Sequence, residues 1–123
     1  MALTEMRPAI DEALLAGYHD LDVGFVAELV NEFLREAPRR IDAMRDACAA
    51  GEGAALGMAA HALKGSARVF GAEPLAELCE CLERLSSIDE TAHETRRRLA
   101  SEYERVRRVL EPLCRACPLE AVR

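Results

Sequence analysis

The apolar residues of this chain recur at intervals of three and four, and no segment alternates apolar and polar residues as a strand does. Ala, Leu, Glu and Arg dominate the periodic segments, and all four are strong helix formers. Gly and Pro fall between these segments, and short connections favour antiparallel neighbours. We therefore predict an all-α fold, an antiparallel up-and-down four-helix bundle with a short extra N-terminal helix.

Caps and breakers set the boundaries of the first two predicted helices. A short helix over 10–16 is expected to stop near Gly17. Asp22 can cap a second helix, which Pro38 is expected to end or kink. The apolar stripe resumes after the proline and continues to Gly51.

The later helices follow the same logic. A third helix over 54–70 is closed by Gly71, since glycine adopts the left-handed conformation that ends many helices. Ser87 and Glu90 form a capping-box pattern, so Ser87 is the predicted N-cap of the last helix, which stops near Pro112. The predicted core stripes of the four main helices are Val26, Leu29, Val30, Phe33, Ile41, Met44, Cys48, Leu56, Ala60, Leu63, Ala67, Phe70, Leu75, Leu78, Cys79, Leu82, Leu85, Leu99, Tyr103, Val106 and Leu110.

Length and composition exclude several classes of protein. The 123 residues are enough for one domain, predicted over 1–123 with its last dozen residues fraying. A net charge of −6, no Trp, two Tyr and three Phe argue against nucleic-acid binding. No signal peptide or membrane-spanning run is apparent, and five Cys form no disulfide framework, so we expect a cytoplasmic protein with reduced thiols.

One face of the third predicted helix stands apart from its core stripe. At about 100° per residue, six residues share this face. They are Gly57, Met58, His61, Lys64, Gly65 and Arg68. His61 should therefore point away from the core, flanked by two cations with no acidic residue between them. Lys64 is the only lysine among 16 basic residues. A position that is merely solvated would be equally well occupied by arginine, so the lysine suggests a specific role.

These residue types suit phosphoryl transfer. A neutral imidazole is a nucleophile near pH 7, and its attack on a phosphoryl group leaves a doubly charged product beside the ring. Lys64 and Arg68 would supply charge-assisted hydrogen bonds to that product. Gly65 costs about 1 kcal/mol in a helix interior relative to Ala, and the gain would be clearance for a partner's backbone.

A structural interpretation of the same residues stays open. A histidine on a helix surface is usually only solvated, and a lone glycine can reflect close helix packing. Two neighbouring cations can likewise be an ordinary solvated face. Met58 can receive a partner or fill a gap at the edge of the core.

The segment 61–67, which reads HALKGSA, resembles the phosphorylation motif of histidine-containing phosphotransfer (HPt) domains. Residues 70–83 resemble the turn and helix that follow in this family, and residues 25–47 resemble the helices that precede it. The resemblance covers nearly the whole chain. It implies the same helical-bundle fold and a carrier function.

The resemblance implies a specific chemistry. His61 would be phosphorylated on Nε2, taking the phosphoryl group from an aspartyl phosphate on a response-regulator receiver domain and passing it to another, reversibly. The catalytic acids and the Mg²⁺ would belong to the receiver, so the chain would be a phosphocarrier and not an enzyme, with no cofactor or metal of its own. Its partners would be receiver domains and a (hybrid) histidine kinase, docking near Gly57, Met58 and Gly65, and we expect a monomer.

Glu83 carries a separate hypothesis. Related domains often place Gln or Glu at this position, where a carboxylate accepting from Nδ1–H would hold the imidazole ring and leave Nε2 free. The alternative is a solvated glutamate beside Arg84.

Other functions remain as rivals. The chain could bind receivers without transferring phosphate, or be the HPt segment of a hybrid histidine kinase or the dimerising phosphoacceptor part of a kinase. Cys114 and Cys117 form a lone CxxC, which favours neither a four-ligand zinc site nor a redox motif, although a metal- or thiol-dependent bundle stays an alternative.

Overall fold

A computed structural model describes residues 7–85 and 87–115. Within these ranges the chain forms α-helices and no strand, which confirms the predicted all-α class. The helices are α1 (Glu12–Leu21), α2 (Val23–Ala50), α3 (Gly53–Val69), α4 (Glu73–Arg84) and α5 (Glu90–Arg115).

Four helices close a bundle around one core. Consecutive helices from α2 to α5 pack against each other, α5 also packs against α2, and the short α1 lies on α2. The predicted core stripes are buried except for three residues that are only partly buried, Leu29, Ile41 and Leu85. Phe33 of α2 meets the rings of Phe70 and Tyr103 at centroid distances of 5.2 and 5.9 Å. Because these aromatic contacts join three segments distant in sequence, they fix how α3 lies against its neighbours.

The first two helices are longer than predicted. Helix α1 does not stop at Gly17 but runs to Leu21, because Tyr18 packs against the core beyond the glycine and a single helical glycine costs only about 1 kcal/mol. As expected, Asp22 caps α2, accepting from Gly24 N–H at 2.8 Å.

Pro38, predicted to end or kink a helix, and Pro112, predicted to mark the end of one, both lie inside helices. Helix α2 is continuous through Pro38 and ends at Gly51 in the left-handed conformation, as the glycine predicted. Buried Phe33 precedes Pro38 and buried Met44 follows it, so core packing on both sides offsets the lost backbone hydrogen bond. Similarly, α5 continues past Pro112 as far as Arg115; the rest of the predicted fraying segment, 116–123, lies outside the described residues.

The predicted capping box of α5 is wrong by two residues. Ser87 is not the N-cap; instead Asp89 Oδ1 accepts from Ala92 N–H at 3.1 Å, and the helix begins at Glu90. Asp and Ser are comparable N-caps, and this start buries Ala92 completely in the bundle.

The turn between α3 and α4 depends on Gly71, as predicted. Its φ of 62° lies in the left-handed region, and a Cβ there would collide with Asp11 Cβ. Asp11 N–H also donates to Phe70 O at 3.0 Å, which ties the N-terminal segment to this turn. The tight turn sets α3 and α4 side by side, so residues of α4 face the His61 side of α3.

Candidate functional site around His61

His61 points out of the bundle. Its side chain is 72% exposed, whereas Ala60 and Leu63 on the opposite side of α3 are buried. Met58, 75% exposed, shares the outer face with His61. The prediction of an outward-facing histidine face is therefore confirmed.

Glu83 holds one nitrogen of the imidazole ring. Its Oε2 lies 2.8 Å from His61 Nδ1, and its side chain is only 22% exposed. An ionised carboxylate can only accept, so the proton of the neutral ring belongs on Nδ1 and Nε2 keeps its lone pair. Of the two interpretations of Glu83, this geometry fits the orienting one.

Glu83 also joins His61 to Lys64. Its Oε1 lies 2.6 Å from Lys64 Nζ, and the lysine side chain is only 15% exposed. This ammonium is the main reason that the pKa of Glu83 is lowered; partial burial opposes the shift, and the His61 contact adds to it. The carboxylate that faces the histidine is therefore held in its charged form.

Glu80, which the sequence analysis did not single out, forms a second ionic centre. Its Oε2 lies 3.4 Å from Arg68 Nη2 and 3.9 Å from Lys64 Nζ, and its Oε1 lies 2.9 Å from Arg84 Nη2. The two cations of α3 thus have no acid between them in sequence but face acids from α4 in the fold. The three-residue spacing of Glu80 and Glu83 was the available signal, because residues three apart share a helix face.

The glycines of this face leave room outside the helix. A Cβ built on Gly57 or Gly65 would meet nothing within 4 Å, so packing within the chain does not explain either glycine. Ser66 Oγ donates to Ala62 O at 3.4 Å, within its own helix. Ala54, Gly57, Met58 and Ala62 line a shallow, mostly apolar depression that reaches His61 and Glu83.

The cysteines separate into buried and exposed groups. Cys48 and Cys79 are core residues, and burial raises the pKa of the Cys79 thiol to about 12, whereas Cys81 is exposed. Within residues 7–85 and 87–115, no three His, Cys, Asp or Glu side chains gather as a metal site requires. Cys117 lies outside the described residues, so the CxxC pair stays untested.

Helix α5 carries a basic stretch, with arginines at 96–98, 105, 107 and 108, and several of these arginines pair with acids of the same helix. Arg97 contacts Glu90, and Arg107 contacts both Glu104 and Glu111. These pairs fit a solvated helix face. None of the helices in the described part of the chain combines the length and hydrophobicity needed to cross a membrane.

Comparison with known proteins identifies the family. Residues 28–113, well over half of the chain and including both His61 and Glu83, match the family described as Hpt domain. The chain belongs to the Hpt family. It is a histidine phosphotransfer protein of phosphorelays.

A solved Hpt structure resembles the whole chain. Histidine-containing phosphotransfer protein B (HptB) from Pseudomonas aeruginosa PAO1 is 25% identical and superposes with a TM-score of 0.60. The match covers 92% of this chain and 94% of HptB. A comparison with curated proteins gives no significant match.

Proposed function

We propose that His61 is the phosphoacceptor and that Nε2 is the atom that takes the phosphoryl group from a receiver-domain aspartyl phosphate. The carrying observation is the 2.8 Å contact between Nδ1 and Glu83 on a ring that is 72% exposed. This contact orients the ring and directs the free lone pair outward, where a partner can reach it.

The proposed transfer forms one bond, breaks one bond and moves no proton. The Nε2–P bond forms as the acyl O–P bond of the aspartyl phosphate breaks, and the departing carboxylate keeps the electron pair. The imidazole retains its Nδ1 proton and becomes a phosphoimidazolium. Glu83, which faces that proton, stabilises the positive charge that develops on the ring.

Lys64 and Arg68 act on the phosphoryl group in this proposal. Both cations lie on the His61 face of α3, one and two helical turns from the histidine. The phosphoryl oxygens compete with the carboxylates of Glu83 and Glu80 for these cations, and charge-assisted hydrogen bonds to phosphate are strong. Lys64 and Arg68 therefore stabilise both the transfer transition state and the product.

The docking face surrounds His61. Gly57 and Gly65 let a partner approach the helix closely, and exposed Met58 adapts to apolar surfaces of different shape. The receiver supplies the catalytic acids and Mg²⁺, so the chain serves as carrier and uses no cofactor of its own. A (hybrid) histidine kinase would charge the relay through its receiver.

The remaining expectations are a monomer and a cytoplasmic location. Light scattering coupled to size-exclusion chromatography tests the first, since a dimer would favour the alternative of a dimerising kinase segment. Fractionation of cells tests the second.

Transfer from a panel of phosphorylated receivers tests the function. Wild type, His61→Gln and the control His93→Gln, which changes a histidine of α5, are read by intact mass at mildly alkaline pH, where phosphoramidates survive. We expect one phosphoryl group on the wild type and the control and none on His61→Gln. Receivers that bind the wild type without transferring would instead indicate a binding-only module.

A further inference from the structure

We propose that Glu80 is a positioning residue that holds Arg68 away from the phosphoryl position of His61 and thereby keeps phosphoryl transfer reversible. This inference rests on the proposed phosphoacceptor role of His61. It concerns a residue that the chemistry of the motif does not require and that acts through a cation.

The contacts of Glu80 distinguish it from its neighbours on α4. It lies within 4 Å of three cations, with Arg84 on one carboxylate oxygen and Arg68 and Lys64 on the other. Glu83, one turn further along α4, instead contacts His61 and Lys64. The antiparallel pair thus forms a ladder in which His61 faces Glu83, Lys64 lies between the two acids and Arg68 faces Glu80.

The charges of this ladder nearly cancel. Three cations face two carboxylates, so one positive charge is in excess while His61 is neutral. A phosphoryl group brings between one and two negative charges, and the cations that could neutralise it are already shared with glutamates. Glu80 therefore lowers the net attraction of the site for phosphate.

A lower attraction for phosphate suits a phosphocarrier, which has to release the group again. When the Nε2–P bond forms and the aspartyl O–P bond breaks, a site with free cations would hold the phosphoryl group and release it slowly to the next receiver. By keeping Arg68 engaged, Glu80 brings phospho-His61 closer in energy to the aspartyl phosphate. Its side chain is 34% exposed, so solvent limits the effect to the scale of one surface ion pair.

The test measures the equilibrium between a phosphorylated receiver and the full chain. Glu80→Gln removes the charge but keeps the shape, and we expect the ratio of phospho-His61 to phospho-receiver to rise about two- to fivefold. The matched control is Glu77→Gln, which makes the same charge change on the same helix but breaks a pair with Arg7 outside the site. We expect Glu77→Gln to leave the ratio close to the wild-type value.

Two further readouts separate electrostatic positioning from a structural role. The Glu80→Gln effect should shrink in high salt, because exposed charges are screened, and it should be reduced in an Arg68→Gln background, because it acts through Arg68. A ratio for Glu80→Gln equal to wild type, or an undiminished effect without Arg68, would overturn the proposal while wild-type phosphorylation still upholds the phosphoacceptor role. Failure of the wild type to accept phosphate from any receiver would overturn both.

Discussion

Two ionic regions share helix α4, and the pKa of the most buried acid is lowered in one region and raised in the other. In the first, which we call the phosphoacceptor face after the role proposed for His61, Glu83 contacts His61 and Lys64, and the pKa of Glu83 is lowered. In the second, which we call the N-terminal anchor, the segment 7–11 lies against the α3–α4 turn, α4 and α5, and Glu102 is the buried acid. Burial raises the pKa of Glu102 even though Arg105 is 2.9 Å away.

The anchor holds the chain together by contacts that reach across the bundle. Arg7 pairs with Glu77 through two hydrogen bonds of 2.7 and 2.8 Å, and Arg105 donates to the carbonyl of Arg7. The phosphoacceptor face joins only α3 and α4 and stays open to solvent on the His61 side. The anchor's polar groups therefore make contacts within the fold, whereas in the proposed mechanism those of the phosphoacceptor face receive an incoming charge.

The largest expected effect is on the rate of phosphoryl transfer when the ring-orienting carboxylate is removed. Glu83→Ala should slow phosphoryl transfer to His61 about tenfold or more, because the ring loses both its orientation and the charge that stabilises the phosphoimidazolium. Rapid-quench transfer rates from one phosphorylated receiver provide the measurement. Glu77→Ala, in the anchor, is the control that should transfer at the wild-type rate. Unchanged rates in Glu83→Ala would contradict the orienting role.

Alanine substitutions of two glycines, one in the α3–α4 turn and one on the phosphoacceptor face, should change stability in opposite directions. Gly71→Ala should destabilise the protein by about 1–3 kcal/mol, because its φ is positive and its methyl group would collide with Asp11. Gly65→Ala should instead raise stability by up to about 1 kcal/mol, since its methyl group enters open space on a helix. Thermal or urea unfolding measures both changes.

In transfer assays the more stable of these two variants should be the slower one. Gly65→Ala should slow transfer severalfold, because the added methyl group stands between the helix and a docked receiver. Gly71→Ala, assayed well below its unfolding temperature, should transfer normally. Wild-type transfer by Gly65→Ala would show that the clearance at this glycine has no role in docking.

The smallest expected effect is a difference in pH dependence. A carboxyl whose pKa is lowered on folding stabilises the protein above its unfolded pKa, and this contribution disappears as the pH falls through the folded pKa. Glu83→Gln should therefore cost stability near pH 7 and progressively less on acidification. A raised pKa has the opposite sign, so wild-type Glu102 stabilises the protein when protonated, and this contribution is lost as the pH rises through the raised value.

Unfolding experiments from pH 7 to well below pH 4 measure this difference. The free energy of unfolding of Glu102→Gln, taken relative to wild type, should be highest near pH 7 and fall on acidification. The corresponding value for Glu83→Gln should rise on acidification. Parallel pH profiles for the two variants would contradict the opposite pKa shifts of Glu83 and Glu102.

Much of the fold could be predicted because it depends on periodicity. The core stripes of the four main helices follow from apolar spacing alone, and Asp22, Gly51 and Gly71 act as the caps that their chemistry predicts. Local breakers were less reliable. Pro38 and Gly17 lie inside helices because tertiary packing or neighbouring caps outweigh costs of about 1–3 kcal/mol, which no local pattern reveals.

The site could be predicted only in its helix α3 part. The exposed face of His61, Lys64 and Arg68 follows from the helical period of one segment, and the possible role of Glu83 came from a family resemblance. The role of Glu80 depends on how α3 and α4 align across the Gly71 turn. That alignment is a property of the packed pair, so neither helix's sequence indicates which cation meets which acid.

The identity of His61 Nε2 as phosphoacceptor is tested most directly by locating the phosphoryl group after transfer. The full chain, labelled with ¹⁵N in its histidines, is phosphorylated by a receiver and examined by ³¹P and ¹⁵N NMR at mildly alkaline pH. We predict one phosphoryl group, on Nε2 of His61, with Nδ1 unmodified. Phosphorylation on Nδ1, on another residue, or on no residue while the receiver still binds would contradict the mechanism.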